Sequence, residues 1–187
     1  PQLAQTGPTL SHRTPGSILS ASRDELDVEL HVISGELPRD IYGHAFTICA
    51  IPYGDGTPAF NGDGMMYRIT FDGARPALRT RLSKTPSFYV DQATKGSDDG
   101  FSNRGFTRIS TKWGVHNQAN TAFMPMGDRM LATYDGGRPY EVDPHSMEII
   151  TPVGAQDEWS SSLPDSMSNG PFTLFFSTAH PYYDEHT

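Results

Sequence analysis

Seven histidines, His12, His31, His44, His116, His145, His180 and His186, are the residues best suited to metal chemistry at neutral pH. No two have the i, i+4 spacing of a zinc-protease helix. His180 and Asp184 are separated by three residues, not by the single residue of a two-histidine facial-triad motif. Local spacing therefore writes no self-contained metal site. His180 differs from the others in context. It follows the most apolar candidate strand, residues 172–178, and precedes Pro181, Tyr182 and Tyr183. A histidine at a strand end before proline is held rigidly, which suits a ligand whose partners come from elsewhere. Taken alone, its plainer reading is a core or rim histidine satisfied by a backbone carbonyl.

The carboxylates say less on their own. Asp135 lies between Tyr134 and Gly136-Gly137, where a hairpin-turn residue is expected. Asp63, in Asn61-Gly62-Asp63-Gly64, lacks the regularly spaced carboxylates and closing Glu of an EF-hand, so turn chemistry explains it better. No glycine-rich segment follows a strand and opens a helix, and no serine sits in a nucleophile elbow. Cys49 is the only cysteine, which excludes an internal disulfide and a thiolate cluster. Between Ile48 and Ala50 it reads as a buried structural thiol.

The elements that must position these groups are short strands. Leu26, Val28, Leu30 and Val32 alternate with Asp27, Glu29, His31 and Ile33, the signature of a half-buried strand, with Ser34-Gly35 as a turn. Further strands are expected over 45–51, 65–71, 77–82, 121–126, 130–134, 140–142, 148–153 and 172–178, with no convincing helix. Asp-Gly pairs at positions 55, 63, 72, 99 and 135 supply hairpin turns, so the sheets should be antiparallel. Residues 91–117 and 154–171 read as insertions or site-lining loops. In the former, Phe101, Phe106, Ile109 and Trp113 suggest an apolar access patch for a lipid-phase substrate or, alternatively, a buried loop anchor. A sandwich, a barrel and part of a propeller all satisfy this all-β pattern.

Composition bounds the class. Fourteen Lys and Arg against 22 Asp and Glu give a net charge of −8, so no nucleic-acid partner is expected. The 18 Gly and 15 Pro fit a turn-rich β protein. Residues 1–23, rich in Ser, Thr, Pro and Gly, form an extended N-terminal arm, and residues 24–187 the folded part. The chain starts at Pro1, which leads us to expect an upstream segment. No apolar run reaches the ~18–20 residues of a membrane span. The expectation is a soluble or peripherally membrane-bound chain, cytoplasmic by preference.

Four stretches resemble the N-terminal part of the carotenoid cleavage oxygenase family, whose members cleave carotenoids, apocarotenoids and stilbenes. Val32 to Gly43, with Gly35-Glu36-Leu37-Pro38-Arg39-Asp40, is similar to its opening G-x-hydrophobic-P-x-D segment. Phe60-Asn61-Gly62-Asp63-Gly64-Met65 resembles its F-D-G-D-G-M hairpin. Asn117 through Ala119-Asn120-Thr121, Gly127-Asp128-Arg129 and Asp135-Gly136-Gly137-Arg138-Pro139 to Val142-Asp143-Pro144 follows its longest motif. Ala179-His180-Pro181 with Asp184 resembles A-H-P-x-x-D.

The resemblance implies a seven-bladed β-propeller, of which these would be the N-terminal blades with long loops. It also implies non-haem ferrous iron, Fe(2+), on four axial histidines, with dioxygen and an apolar conjugated alkene beside it. His180 falls on the first iron ligand. Asp135 falls where the family has a glutamate that orients another ligand histidine through its ring N–H. Asp is one methylene shorter, so the backbone comes closer, a water bridges, or the contact is lost. Phe46-Thr47-Ile48-Cys49-Ala50 departs from the family's usual Y-R-N-G-P. The Tyr and Lys that engage a stilbene phenol have only Tyr89 and Lys112 as candidates. The resemblance covers about the first third of a family member, so the other three iron histidines are expected beyond Thr187. The activity implied is oxidative cleavage of a C=C bond to two carbonyl products. The alternative is a non-catalytic propeller that binds ligands and has lost the metal.

Overall fold

A computed structural model describes residues 22–53, 58–105, 107–164, 170–182 and 184. Eleven strands lie among them: β1 Asp27–Glu29, β2 His44–Ile51, β3 Asp63–Thr70, β4 Ala77–Leu82, β5 Ser102–Asn103, β6 Arg108–Ser110, β7 Gly114–Val115, β8 Phe123–Met126, β9 Arg129–Ala132, β10 Tyr140–Val142 and β11 Ile149–Pro152. They form two four-stranded sheets, in the orders β1-β4-β3-β2 and β11-β10-β9-β8, and a small sheet β5-β6-β7. Every ladder is antiparallel, as the serial turns require.

The two large sheets share one core. Ile48 and Met66 of the first sheet meet Ala132, Tyr140 and Val142 of the second, with Ala119 and Met147 between them. Phe46 packs edge-on against Phe123 at 6.2 Å between ring centres. Met65, Met66, Leu131 and Val142 are almost wholly buried. Removing a side chain of this size from water contributes about 1.5–3 kcal/mol.

Two of the sequence motifs interlock at this junction. Gly64 donates its N–H to the Gln118 carbonyl at 3.0 Å, and the Asn120 amide donates to the Gly62 and Phe60 carbonyls at 2.8 and 3.0 Å. A Cβ on Gly64 would lie 2.2 Å from the Ala119 carbonyl oxygen, and one on Gly62 would lie 1.7 Å from that of Ile51. Both positions demand glycine because backbone passes through the space a side chain would fill.

The structure departs from the sequence expectations in several places, beginning with residues 91–117, read as an insertion or loop, which contain the sheet β5-β6-β7. Residues Pro86–Thr94 form a helix, α1, where none was expected. Its start is coded by Thr85, which caps the Phe88 N–H, and by Pro86 in the first turn. Residues 172–178 do not join a sheet. They make one parallel bridge, Phe172 to Gly114, and otherwise run as a strap held largely by hydroxyls and turn carbonyls. Finally, Leu26, Val28, Val32 and Ile33 are exposed, and the regular strand there shrinks to Asp27–Glu29 on the outer edge of β4.

Candidate functional site

The strap ends at a corner built by the turn after β9. Ser177 places its hydroxyl 2.7 Å from the carbonyl oxygens of both Tyr134 and Gly137, and its N–H donates to the Asp135 carbonyl at 3.1 Å. The Ala179 peptide groups are held on both sides. Its N–H donates to Asp135 Oδ1 at 2.8 Å, and its carbonyl accepts from Thr133 Oγ1 at 2.5 Å. Thr133 Oγ1 also lies 3.1 Å from the Ala122 carbonyl, but one hydroxyl has one proton, and Ala179 is the shorter contact. Below the turn, Tyr134 is buried and bonded to Thr107 Oγ1 at 2.5 Å; burial pushes its phenol up to about 12.

His180 follows directly on this fastened peptide and is exposed, as is Asp135. The structure thus brings together the two residues singled out in the sequence. Among the described residues, Asp135 contacts the backbone beside His180 and no histidine ring. The contact that its side chain makes among the described residues is with a main-chain amide. Among the described residues no group of three or more His, Cys, Asp or Glu is disposed to hold a metal ion. A neutral imidazole on a pinned backbone fits one coordination position of ferrous iron, and the described residues bring that one donor only.

A second histidine is placed in the opposite way. His116 is fully buried, with Nε2 3.6 Å from Asp63 Oδ1 and 3.8 Å from Asp91 Oδ2. Among the described residues neither ring nitrogen has a hydrogen-bond partner. The Phe101 ring stands edge-on to it at 5.1 Å. The two carboxylates are answered by two guanidinium groups. Arg108 pairs with both oxygens of Asp91 at 2.6 and 3.0 Å, and Arg23 reaches Asp63 at 2.6 Å. The Tyr53 hydroxyl donates to Asp63 Oδ1 at 2.7 Å, while both guanidiniums lie over its ring at 4.2 and 4.7 Å.

Two negative and two positive charges balance, so a proton on His116 would be a buried charge in excess. Burial holds its pKa below the ordinary histidine value; Asp63 and Asp91 pull the other way without overcoming it. Burial, reinforced by Asp63, raises the Tyr53 phenol far above its usual range. Asp63 is therefore more than a turn residue. No local spacing signals this cluster, whose members come from the N-terminal segment, the start of β3, α1, β6 and the residue after β7.

The remaining candidates are accounted for individually. His44 bonds Thr70 at 3.1 Å and faces Asp72. His145 offers its carbonyl to Arg68 and Arg79. His12, His186 and Phe106 lie outside the described residues. Lys112 is paired with Asp99 at 2.6 Å, and Tyr89 is exposed on α1. Phe101 is buried against His116 and Phe172, which makes it a loop anchor. Cys49, expected to be buried, is exposed on β2 and lies 3.9 Å from the Tyr67 hydroxyl. Among the described residues no helix is long and apolar enough to cross a membrane.

This arrangement has known counterparts. The chain is 28% identical over 159 residues to an isoeugenol monooxygenase of Pseudomonas putida, covering 83% of this chain and 30% of that protein. It is 26% identical over 166 residues to resveratrol cleavage oxygenase 1 of Aspergillus fumigatus, covering 87% and 30%. It therefore spans about a third of the length of the curated relatives it matches. Among solved structures, cobalt-substituted apocarotenoid oxygenase of Synechocystis superposes with a TM-score of 0.60 at 25% identity, over 74% of this chain and 32% of that one. A Glu-to-Asp variant of the same enzyme gives 0.60 at 26%, over 73% and 31%. These neighbours are seven-bladed β-propellers, and the sheets described above are part of such a propeller. The family described as retinal pigment epithelial membrane protein, RPE65, matches residues 19–187. On that match, which runs from before β1 through the His180 corner, the chain belongs to the RPE65 family of carotenoid cleavage oxygenases.

Proposed function

We propose that this chain is the N-terminal part of an oxygenase that splits a C=C bond of an apolar, conjugated substrate into two carbonyl products. The observation that carries this reading is the family match over residues 19–187, which includes His180. Relatives named for resveratrol, isoeugenol and apocarotenoid substrates support a substrate class of alkenes conjugated to an aromatic ring or a polyene. In this reading His180 donates one imidazole nitrogen to a ferrous ion whose other ligands come from the rest of the polypeptide. That ion, when bound, would supply activation of dioxygen. The chain's own contribution is positional: the β9–β10 turn fixes the backbone on which the imidazole stands, and the shared core of the two sheets fixes the turn.

The test uses the full-length polypeptide. It should bind about one iron per chain and convert a stilbene, isoeugenol or an apocarotenal to two carbonyl fragments, both identified by mass spectrometry. His180→Ala should lose the iron and the activity while keeping the fold. Full iron and turnover in His180→Ala would refute the ligand assignment. A wild-type polypeptide that binds a conjugated alkene but neither iron nor oxygen would instead support a non-catalytic binding propeller.

A further inference from the structure

We infer that Asp135 and Thr133 act as a peptide clamp that positions His180, so that Asp135 serves this ligand through the main chain. The inference deepens the proposed function and rests on His180 being a metal ligand. Its basis is the pair of contacts on Ala179. Asp135 Oδ1 takes the N–H at 2.8 Å, and Thr133 Oγ1 gives its proton to the carbonyl at 2.5 Å. The N–H and carbonyl of Ala179 belong to successive peptide groups, and the second of these leads into His180. Holding both fixes the φ and ψ of Ala179 and hence the direction in which the chain enters His180. Pro181 restricts His180 from the other side by disfavouring helical backbone before it.

Chemistry and length agree with this role. A carboxylate accepting a backbone N–H makes a short, charge-assisted bond, and Asp reaches an adjacent backbone without the extra methylene of Glu. Ser177 adds fastening two residues upstream of Ala179, with its hydroxyl against the Tyr134 and Gly137 carbonyls. A Cβ on Gly137 would lie 2.2 Å from Asn117 Nδ2, so a side chain there would displace the amide that donates to the Arg138 carbonyl. The turn that presents Asp135 is therefore itself fixed. Asp135 is a positioning residue, since it contacts the backbone of the preceding residue, Ala179, and none of the reacting atoms.

Two readouts in the full-length polypeptide test the clamp. The first is hydrogen–deuterium exchange at the Ala179 amide, which does not depend on metal. The second is the dissociation constant of Fe(II), or of Co(II) as a spectroscopic probe. Asp135→Ala should speed exchange at Ala179 by about tenfold, the loss of one hydrogen bond, and weaken metal binding by roughly 10–100-fold. Asp135→Asn, whose side-chain oxygen still accepts the N–H, should stay within a few-fold of wild type in both readouts. Thr133→Val, which keeps the shape, should shift both in the same direction as Asp135→Ala and serves if the latter does not fold. Unchanged exchange at Ala179 in Asp135→Ala would overturn the clamp. So would faster exchange with metal affinity intact. Iron retained in His180→Ala would refute the ligand assignment beneath it, whatever the exchange data show.

Discussion

His116 and His180 both sit near aspartates, with opposite outcomes. At His116 the carboxylates of Asp63 and Asp91 face the ring, yet both carboxylates are already matched by Arg23 and Arg108, and the ring and both carboxylates are buried. At His180 the aspartate brought beside it, Asp135, is bonded to backbone and the histidine is exposed. A metal needs a ligand with an available lone pair and room for further donors. His180 meets both conditions on a rigid base. His116, in a charge-balanced interior, stabilises the fold only while it stays neutral. Proximity of acid and imidazole is therefore a poor guide to chemistry unless burial and prior pairing are weighed with it.

The comparison can be broken from its buried side first. Arg108→Met in the full-length polypeptide leaves Asp91 uncompensated in the interior and should lower unfolding stability by about 3–5 kcal/mol in urea titrations. A loss below 1 kcal/mol would mean that the cluster is solvated. Next comes pH. His116 has a folded pKa below its unfolded value, so the unfolded chain takes up the proton first and stability falls as pH drops below about 6.5. This single group steepens the decline by up to about 1.4 kcal/mol per pH unit. His116→Gln should flatten the slope between pH 7 and 5, and an unchanged slope would place the responsible group elsewhere.

Thr85→Ala removes the cap of the helix that carries Asp91 and should cost about 1 kcal/mol, read as a shifted urea midpoint at constant slope. The smallest effect is expected at the exposed corner. His180→Ala should change the stability of the metal-free polypeptide by less than about 0.5 kcal/mol. A larger loss would make His180 a structural residue like His116 and dissolve the contrast.

Much of the fold was legible because antiparallel hairpins are local. The strands expected over 45–51, 65–71 and 77–82 are β2, β3 and β4 with small shifts at the ends, and Asp72-Gly73 turns between β3 and β4, whereas Asp63-Gly64, expected as a turn, opens β3. Residues 172–178 read as a strand on apolar content, but a ladder needs a free sheet edge alongside, and here hydroxyls and turn carbonyls took most of the backbone contacts. Helix α1 was overlooked although Thr85-Pro86 signals its start, because its apolar periodicity is weak. Cys49 read as buried between Ile48 and Ala50, yet in β2 Ile48 faces the core and Cys49 lies on the other side.

The residue types and their order alone determined the family, the antiparallel architecture and the choice of His180 and Asp135. These rest on local motifs, on turns that only Gly and Asp tolerate, and on strand periods of two. Tertiary structure alone decided what each histidine and aspartate touches. Asp63, Asp91, Arg108 and His116 span more than fifty positions, so their neutralisation of one another is invisible in the sequence. Asp135 and Ala179, separated by 44 positions, meet only because the strap 172–179 folds back onto the β9–β10 turn. Contacts of that range depend on how whole sheets pack, which no local pattern encodes.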